Sequence, residues 1–484
     1  MMQQVSSALG DFTLIDNDDL PLDNSLKKHT DSPYHWKPRY WAPWPLPKDY
    51  QLPNAGWTRP PQQPIKLTGV NVIDVEHGRI LPDMTVKIRQ GFFERVSRRN
   101  GNDDKFDIQA QPEWMEIDCK GLYMCPGLID CHVHILAEAA GEDGWSDIMA
   151  AYRVAHDLKG MLGNGFTTIR DVGGATRHHR EATEQWLIPG PRLYIGGPVL
   201  SQTGGHGDHS DRDAAPTPGM ISDGNMGPMS IIVDGVDACL KAARKLMMAG
   251  ADHIKICSSG GVLSPTDKVD SDQFTVPEIK AICDTVRSMG GTLVTAHCNT
   301  TQGARNAIEA GVMGIEHGSL IDEPTLKLMA EKGVHLTPTL IVQEMIVNGP
   351  LGAQVPKVSL EKAKVVAGAT YEMIKIAHRV GVNIAYGTDI IVDVQLSEFD
   401  LRATILPSPV ILKQATCNGA KVLGMKDKLG CIKEGAFADF LLLDANPLED
   451  IKILNRPDTH LKAVVKDGRC VRSTVAGLEV EIPL

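Results

Sequence analysis

The stretch "PGLIDCHVH", Pro126 to His134, places two histidines one residue apart directly behind an apolar run. Along a strand, residues i and i+2 point to the same face. His132 and His134 then present two imidazoles side by side, a pair of metal ligands that needs partners. The alternative, two surface histidines on a polar strand face, sits badly with the preceding "LYMCPGLIDC", which reads as buried. The stretch is therefore read as a buried strand that ends in metal ligands.

Outward from it, residues 125–427 alternate strand and helix. Runs such as "FTTIRDV", "HIKICSS", "TLVTAH", "GIEHG", "HLTPTLI" and "NIAYGTD" are separated by helical patterns such as "DGVDACLKAARKLMMAG" and "VPEIKAICDTVRSMG". Several of these helices close in Gly, the common helix stop. Repeated βα units imply a parallel sheet, and this many of them predict an α/β fold built on a (β/α)8 TIM barrel. The flanks, 65–124 and 428–484, have a different texture. "IKLTGVNVIDVEHGRILPDMTVKIRQGFFERV" and "GAFADFLLLDANPL" read as short strands broken by turns. The two flanks are predicted to form one small β-sandwich domain.

Residues 1–64 stand apart. One stretch there holds four of the seven Trp and nine Pro. Pro at this density favours extended chain, and clustered Trp favours burial, so an arm packed on the body or on a neighbouring subunit of a homo-oligomer is expected. The net charge of -11 argues against nucleic acid and anionic membrane surfaces. No run reaches the ~20 apolar residues of a membrane helix, and the first residues lack the pattern of a secretory signal. The expectation is a soluble, cytoplasmic protein. The ten cysteines form no C-x-x-C pair and read as reduced, buried small hydrophobes.

A barrel of this kind carries its chemistry at the C-terminal ends of its strands. There the sequence supplies His132 and His134, Lys255 in "ADHIKICSSGG", His297 in "GGTLVTAHCNT", His317 in "GVMGIEHGS" and Asp389 in "GVNIAYGTDI". Singly, each has an ordinary reading: a hydrogen-bonded core histidine, a helix N-cap aspartate, a lysine reaching solvent. Independent accidents, however, would not all fall at the same end of successive strands. Four imidazoles and one carboxylate exceed one tetrahedral zinc site, so two divalent metal ions are expected. An ammonium beside two cations is unfavourable, so Lys255 is expected to be deprotonated. A neutral amine can take up CO2 as a carbamate, an anionic ligand able to bridge both ions.

These residues and the phrases "GFTTIRDVGG", "SQTGGHGD", "IKICSSGGV", "VTAHCNT", "GIEHGSLID", "AYGTD" and "GCIKEGAFADFLLLDANPLEDI" resemble the binuclear amidohydrolase superfamily. The nearest branch holds imidazolonepropionase-like proteins, Xaa-Pro dipeptidases and ochratoxin-degrading amidohydrolases. The resemblance covers about residues 65–475. It implies that His132, His134 and Asp389 bind the more buried metal and that His297 and His317 bind the more exposed one. It further implies that carboxylated Lys255 bridges them and that the ions are Zn2+.

Two cations sharing a water lower its pKa toward neutrality and give a bridging hydroxide. Asp389 is expected to take its proton and pass it to the leaving nitrogen. His206 and His209 in "TGGHGDHS", and His335 in "GVHLTPTL", are candidates to contact the substrate carbonyl or a carboxylate. The resembling branch has "AHAY" where this chain has "AHCN". Asn299 thus becomes a candidate substrate contact, and the expectation of dipeptidase activity weakens. "IIVDVQLSEFDLRATILP" also departs from the branch, so the substrate pocket is rebuilt. The expected reaction is hydrolysis of an amide or related C–N bond in an N-acyl amino acid, dipeptide or aryl amide. The alternatives are a lyase, decarboxylase or isomerase on the same scaffold, or a non-catalytic binding protein. A serine hydrolase or nucleotide-binding enzyme is disfavoured, because the sequence has no G-x-S-x-G, P-loop or strand-linked G-x-G-x-x-G.

Overall fold

The computed structural model describes residues 61–99, 114–137, 147–208, 229–264, 267–389 and 392–484. Nearly all of the 1–64 arm lies outside them, as does His209. The described residues belong to one compact unit, 56–484.

Strand β1 (Ile65–Asp74) carries a register shift between Leu67 and Val70, where Gly69 has a φ of 72°. The extra residue keeps Ile65, Leu67, Val70 and Val72 all buried, which strict alternation would not. β2 (Arg79–Arg89) and β3 (Phe92–Arg98) follow it as antiparallel neighbours. β4 (Met115–Asp118) runs parallel to the first part of β1, and β5 (Tyr123–Pro126) runs parallel to its later part.

After a single glycine the chain enters β6 (Leu128–Val133), every residue of which is buried. β6 pairs in parallel with β7 (Phe166–Asp171), and β7 pairs in parallel with β8 (Arg192–Ile195). A second sheet follows: β9 (Val199–Ser201), β10 (Ser230–Ile232), β11 (Ile254–Cys257), β12 (Val294–Thr300), β13 (Gly314–Leu320) and β14 (His335–Thr337). Its order is β10-β9-β11-β12-β13-β14, and all its recorded pairs are parallel. The alternating elements are therefore an α/β fold with two parallel sheets, where a single ring of eight strands is expected. At one seam, Asp252 donates its backbone N–H to Ile195 at 2.8 Å. At the other, residues 384–389 run between β14 and β6. There Ala385 N–H donates to Leu336 and Cys131 N–H donates to Tyr386, both at 2.8 Å.

The connecting helices are α1 (Asp147–Gly163), α2 (Arg177–Glu184), α3 (Val236–Met248), α4 (Val276–Ser288), α5 (Thr301–Ala310), α6 (Glu323–Lys332), α7 (Leu340–Val347) and α8 (Lys357–Val380). Each longer helix turns one stripe inward. Leu158, Ile279, Leu326 and Ile374 are completely buried in one shared core.

The far end of the chain returns to the first sheet. β15 (Phe440–Leu443) pairs antiparallel with β5, followed by β16 (Leu461–Lys466) and β17 (Arg469–Ser473). The two flanks share one continuous mixed sheet, ordered β17-β16-β15-β5-β1-β2-β3 with β4 beside β1. The reason is that β1 is long enough to hold β4 and β5 in succession, so both chain ends share one ladder. All ten cysteines are free, nine of them buried. Among the described residues no helix is long and apolar enough to cross a membrane.

Candidate metal centre

His132 comes near the end of β6 and His134 lies just past it, and both reach one cavity, as their spacing requires. His132 is buried, with Nδ1 2.7 Å from Oε2 of Glu316 on β13. Nδ1 of His134 lies 3.0 Å from the carbonyl oxygen of Gly173. In each ring an Nδ1–H that donates leaves a lone pair on Nε2. Both Nε2 atoms lie 3.4 Å from Oδ1 of Asp389. The ligand atoms of the three residues fall within 4.8 Å of one another. Two imidazole lone pairs and a carboxylate at that spacing suit a divalent cation.

Asp389 is held by its own backbone, which donates to the His132 carbonyl at 2.8 Å. Its neighbour Thr388 donates its hydroxyl to Asp130 at 2.7 Å. Asp389 and His317 have φ values of 56° and 65°, in the left-handed region. That conformation costs a non-glycine residue about 1–2 kcal/mol, a strain that collects at functional sites.

A second group adjoins the first. Lys255 on β11 is buried, and Thr295 on β12 is its register partner. The ring of His317 is 4.9 Å from that of His132 and 4.6 Å from that of His297. Nδ1 of His317 is 2.8 Å from the Thr339 hydroxyl, and Asn299 Nδ2 is 3.3 Å from Nε2 of His297.

Burial dominates the electrostatics. It pushes His134 down to about 4 and holds His297 and His317 well below the ordinary histidine value. It also lowers Lys255, disfavouring the ammonium. His132 differs: burial and Lys255 push it down, but the flanking Asp389 and Glu316 carboxylates raise it overall. Burial would raise Glu316, yet the Arg170 guanidinium at 2.6 Å and the His132 hydrogen bond hold it well below the usual carboxylate range. Asp389 is likewise pushed up by burial and pulled below that range, chiefly by His132.

His132, His134, His206, Lys255, His297, Asn299, His317 and Asp389 all line one cavity of about 580 Å³. Val342 and Ile346 of α7, Leu351, and Ala363 and Val366 of α8 add an apolar part to its lining, with Gln343 and Gln354 among them. His335 does not join them. It is the first residue of β14, with Nδ1 3.1 Å from Asn383, and it lies outside the cavity lining. The phrase "GVHLTPTL" places the strand after the histidine, which puts His335 at the strand's start, away from the C-terminal ends that form the site.

A family model described as the amidohydrolase family matches residues 123–471. The chain belongs to that family. Ochratoxinase from Aspergillus niger is 33% identical over 361 residues, covering 70% of this chain and 74% of that one. The crystal structure of the A. niger ochratoxinase matches with a TM-score of 0.73 at 27% identity, over 86% of this chain and 96% of that chain. A prolidase complexed with N-methylphosphonate-L-proline matches with a TM-score of 0.78 at 35% identity, over 85% of this chain and 100% of that chain. A Xaa-Pro dipeptidase with methionine bound in its active site gives 0.74 at 27% identity, over 85% and 100% of the two chains.

Part of this amidohydrolase's site escaped the sequence reading. Glu316 stands in the quoted phrase "GIEHG" and Arg170 in "FTTIRDV". Both are buried, Glu316 against His132 and Arg170 against Glu316, and Arg170 also donates to the Cys131 carbonyl at 2.6 Å. The available signal was a charge inside a strand otherwise buried along its length. Two opposite charges of that kind call for each other.

Proposed function

We propose that this amidohydrolase uses two divalent metal ions, Zn2+ first among candidates, to hydrolyse an amide or related C–N bond of a small molecule with an apolar part. The observation that carries the reading is the convergence of His132, His134, Lys255, His297, His317 and Asp389 on one cavity. His132, His134 and Asp389 would hold one ion, and His297 and His317 the other. Lys255, as its carbamate, would lie between them. When bound, the ions supply an activated water and a Lewis acid for the substrate carbonyl. Asp389 accepts the proton of the attacking water on a carboxylate oxygen and returns it to the leaving nitrogen. Glu316 and the Gly173 carbonyl fix the two imidazoles so that neither must reorient during turnover.

The wall of Val342, Ile346, Leu351, Ala363 and Val366 receives the apolar part and excludes water. An N-acyl amino acid or aryl amide fits such a wall. The likenesses to an ochratoxinase and to prolidases support a small-molecule hydrolase. We also infer that the two parallel sheets and residues 384–389 make one (β/α)8 barrel over 125–427. The bridge between Leu336 and Ile384 supports this closure.

The test is a screen of N-acyl amino acids, dipeptides and aryl amides with the zinc-loaded full-length protein in water labelled with heavy oxygen. The expected product is a carboxylate that carries one solvent oxygen. Turnover without solvent oxygen would replace hydrolysis by lyase, decarboxylase or isomerase chemistry. A purified protein that takes up no metal would leave only a binding role.

A further inference from the structure

The loop after β11 holds a hydrogen-bonded chain that the reaction above leaves without a role. Its centre is Asp267, whose side chain is only 2% exposed. Oδ1 accepts from the Ser264 hydroxyl and from Lys362 Nζ at 3.1 Å. Oδ2 accepts from the backbone N–H of Gly261 at 3.2 Å and from the Gln273 side-chain amide at 2.9 Å. These donors fill the lone-pair directions of a carboxylate. The single proton of Ser264 is then committed to Asp267, so its oxygen accepts from Nδ1 of His206, 2.9 Å away. Gln273 is oriented in the same way. Its NH2 donates to Asp267, and its Oε1 accepts the backbone N–H of His206 at 2.9 Å. Asp267 therefore holds His206 twice, through the ring and through the backbone.

The surroundings leave the ring little room. A Cβ on Gly261 would come within 2.1 Å of His206 Nδ1. The ring stacks on His297, with centroids 4.0 Å apart and planes inclined by 24°. Lys362 also donates to the carbonyls of Gly261 at 3.1 Å and Ser264 at 2.7 Å, and its neighbour Ala363 is part of the apolar wall. The chain of contacts thus ties α8 to the histidine at the cavity.

We propose that Asp267 and Ser264 are positioning residues that hold His206 with its Nδ1–H donated to Ser264, which fixes the orientation of the ring at the cavity. The kinetic arm of the test rests on the hydrolase reading; the spectroscopic arm does not.

The spectroscopic arm uses the full-length protein labelled with nitrogen-15 in histidine, the His206 signals being assigned by their loss in His206→Gln. Wild type should show a protonated Nδ1. Ser264→Ala and Asp267→Asn should each shift the signals toward mixed tautomers. A wild-type ring without a proton on Nδ1, or a signal unmoved by both variants, overturns the proposal. In the kinetic arm, Asp267→Asn should lower kcat/KM about 10–100-fold. In a His206→Ala background the same change should cost about twofold or less, because the two residues act as one unit. Equal losses in both backgrounds would mean a general structural role and would also overturn it. Failure to hydrolyse any compound would remove the functional reading while leaving the tautomer measurement intact.

Discussion

Glu316→Gln is a nearly isosteric change, and the structure says it is costly in two separable ways. Arg170 is 1% exposed and lies 2.6 Å from Oε1 of Glu316. Removing that negative charge leaves a buried guanidinium without its counter-charge, a loss of about 3–5 kcal/mol. Against a total stability of roughly 5–15 kcal/mol this is large, and it should lower Tm by about 3–5 °C. The second cost concerns His132. Glutamine has one acceptor oxygen, which Arg170 and the Thr295 hydroxyl both require. Its NH2 then faces Nδ1 of His132 and forces the ring proton onto Nε2, the atom needed for a cation. The loss expected for such a supporting partner is about 10–100-fold in metal affinity, or roughly 1–3 kcal/mol. Zinc affinity measured by competition with a chromophoric chelator, beside thermal unfolding of the zinc-free protein, reads the two effects independently. A variant that binds zinc within about twofold of wild type would refute the tautomer argument. An unchanged Tm would refute the charge argument.

Three further outcomes are expected. Lys255→Ala should lose one metal equivalent and regain part of its activity with small carboxylates; retention of both metals unaided would remove the carbamate from the proposal. Gly261→Ala should displace His206, because the new methyl would sit within 2.1 Å of Nδ1. Turnover should fall while zinc content stays that of wild type, and full turnover would show that the ring can move without consequence. Acid stability should depend on His335, which burial, helped by Arg170 and Lys421, lowers from the ordinary 6.5 to about 4. Between those values the unfolded chain holds the proton and the folded chain does not, so stability present above pH 6.5 is lost on acidification toward pH 4. Urea midpoints at pH 7 and pH 5 should therefore diverge less in His335→Gln, and an equal drop in both proteins would contradict this assignment.

The residues proposed as ligands could be picked out in the sequence because they obey simple periodicities. His132 and His134 share a strand face, and Lys255, His297 and His317 each stand in an apolar run short enough to be a strand. The supporting layer was harder to see. Arg170 and Glu316 are 146 residues apart, and neither position alone announces the other. His335 was misplaced because a short β-rich phrase does not say where its strand begins, and His335 opens β14. The left-handed backbone at His317 and Asp389 follows from tertiary contacts, which no local propensity encodes. The single terminal sheet likewise depends on a register between β5 and β15 that only the folded chain defines.

That register has a consequence for synthesis. β5 ends one glycine ahead of the strand that carries His132, and Leu443 is the partner of Tyr123. A nascent chain therefore cannot cover this edge of β5 until residue 443 has left the ribosome. Contacts so distant in sequence slow folding and leave strand edges uncovered in the meantime. Metal capture should accordingly be a late event, with the growing polypeptide dependent on chaperones until its last strands arrive.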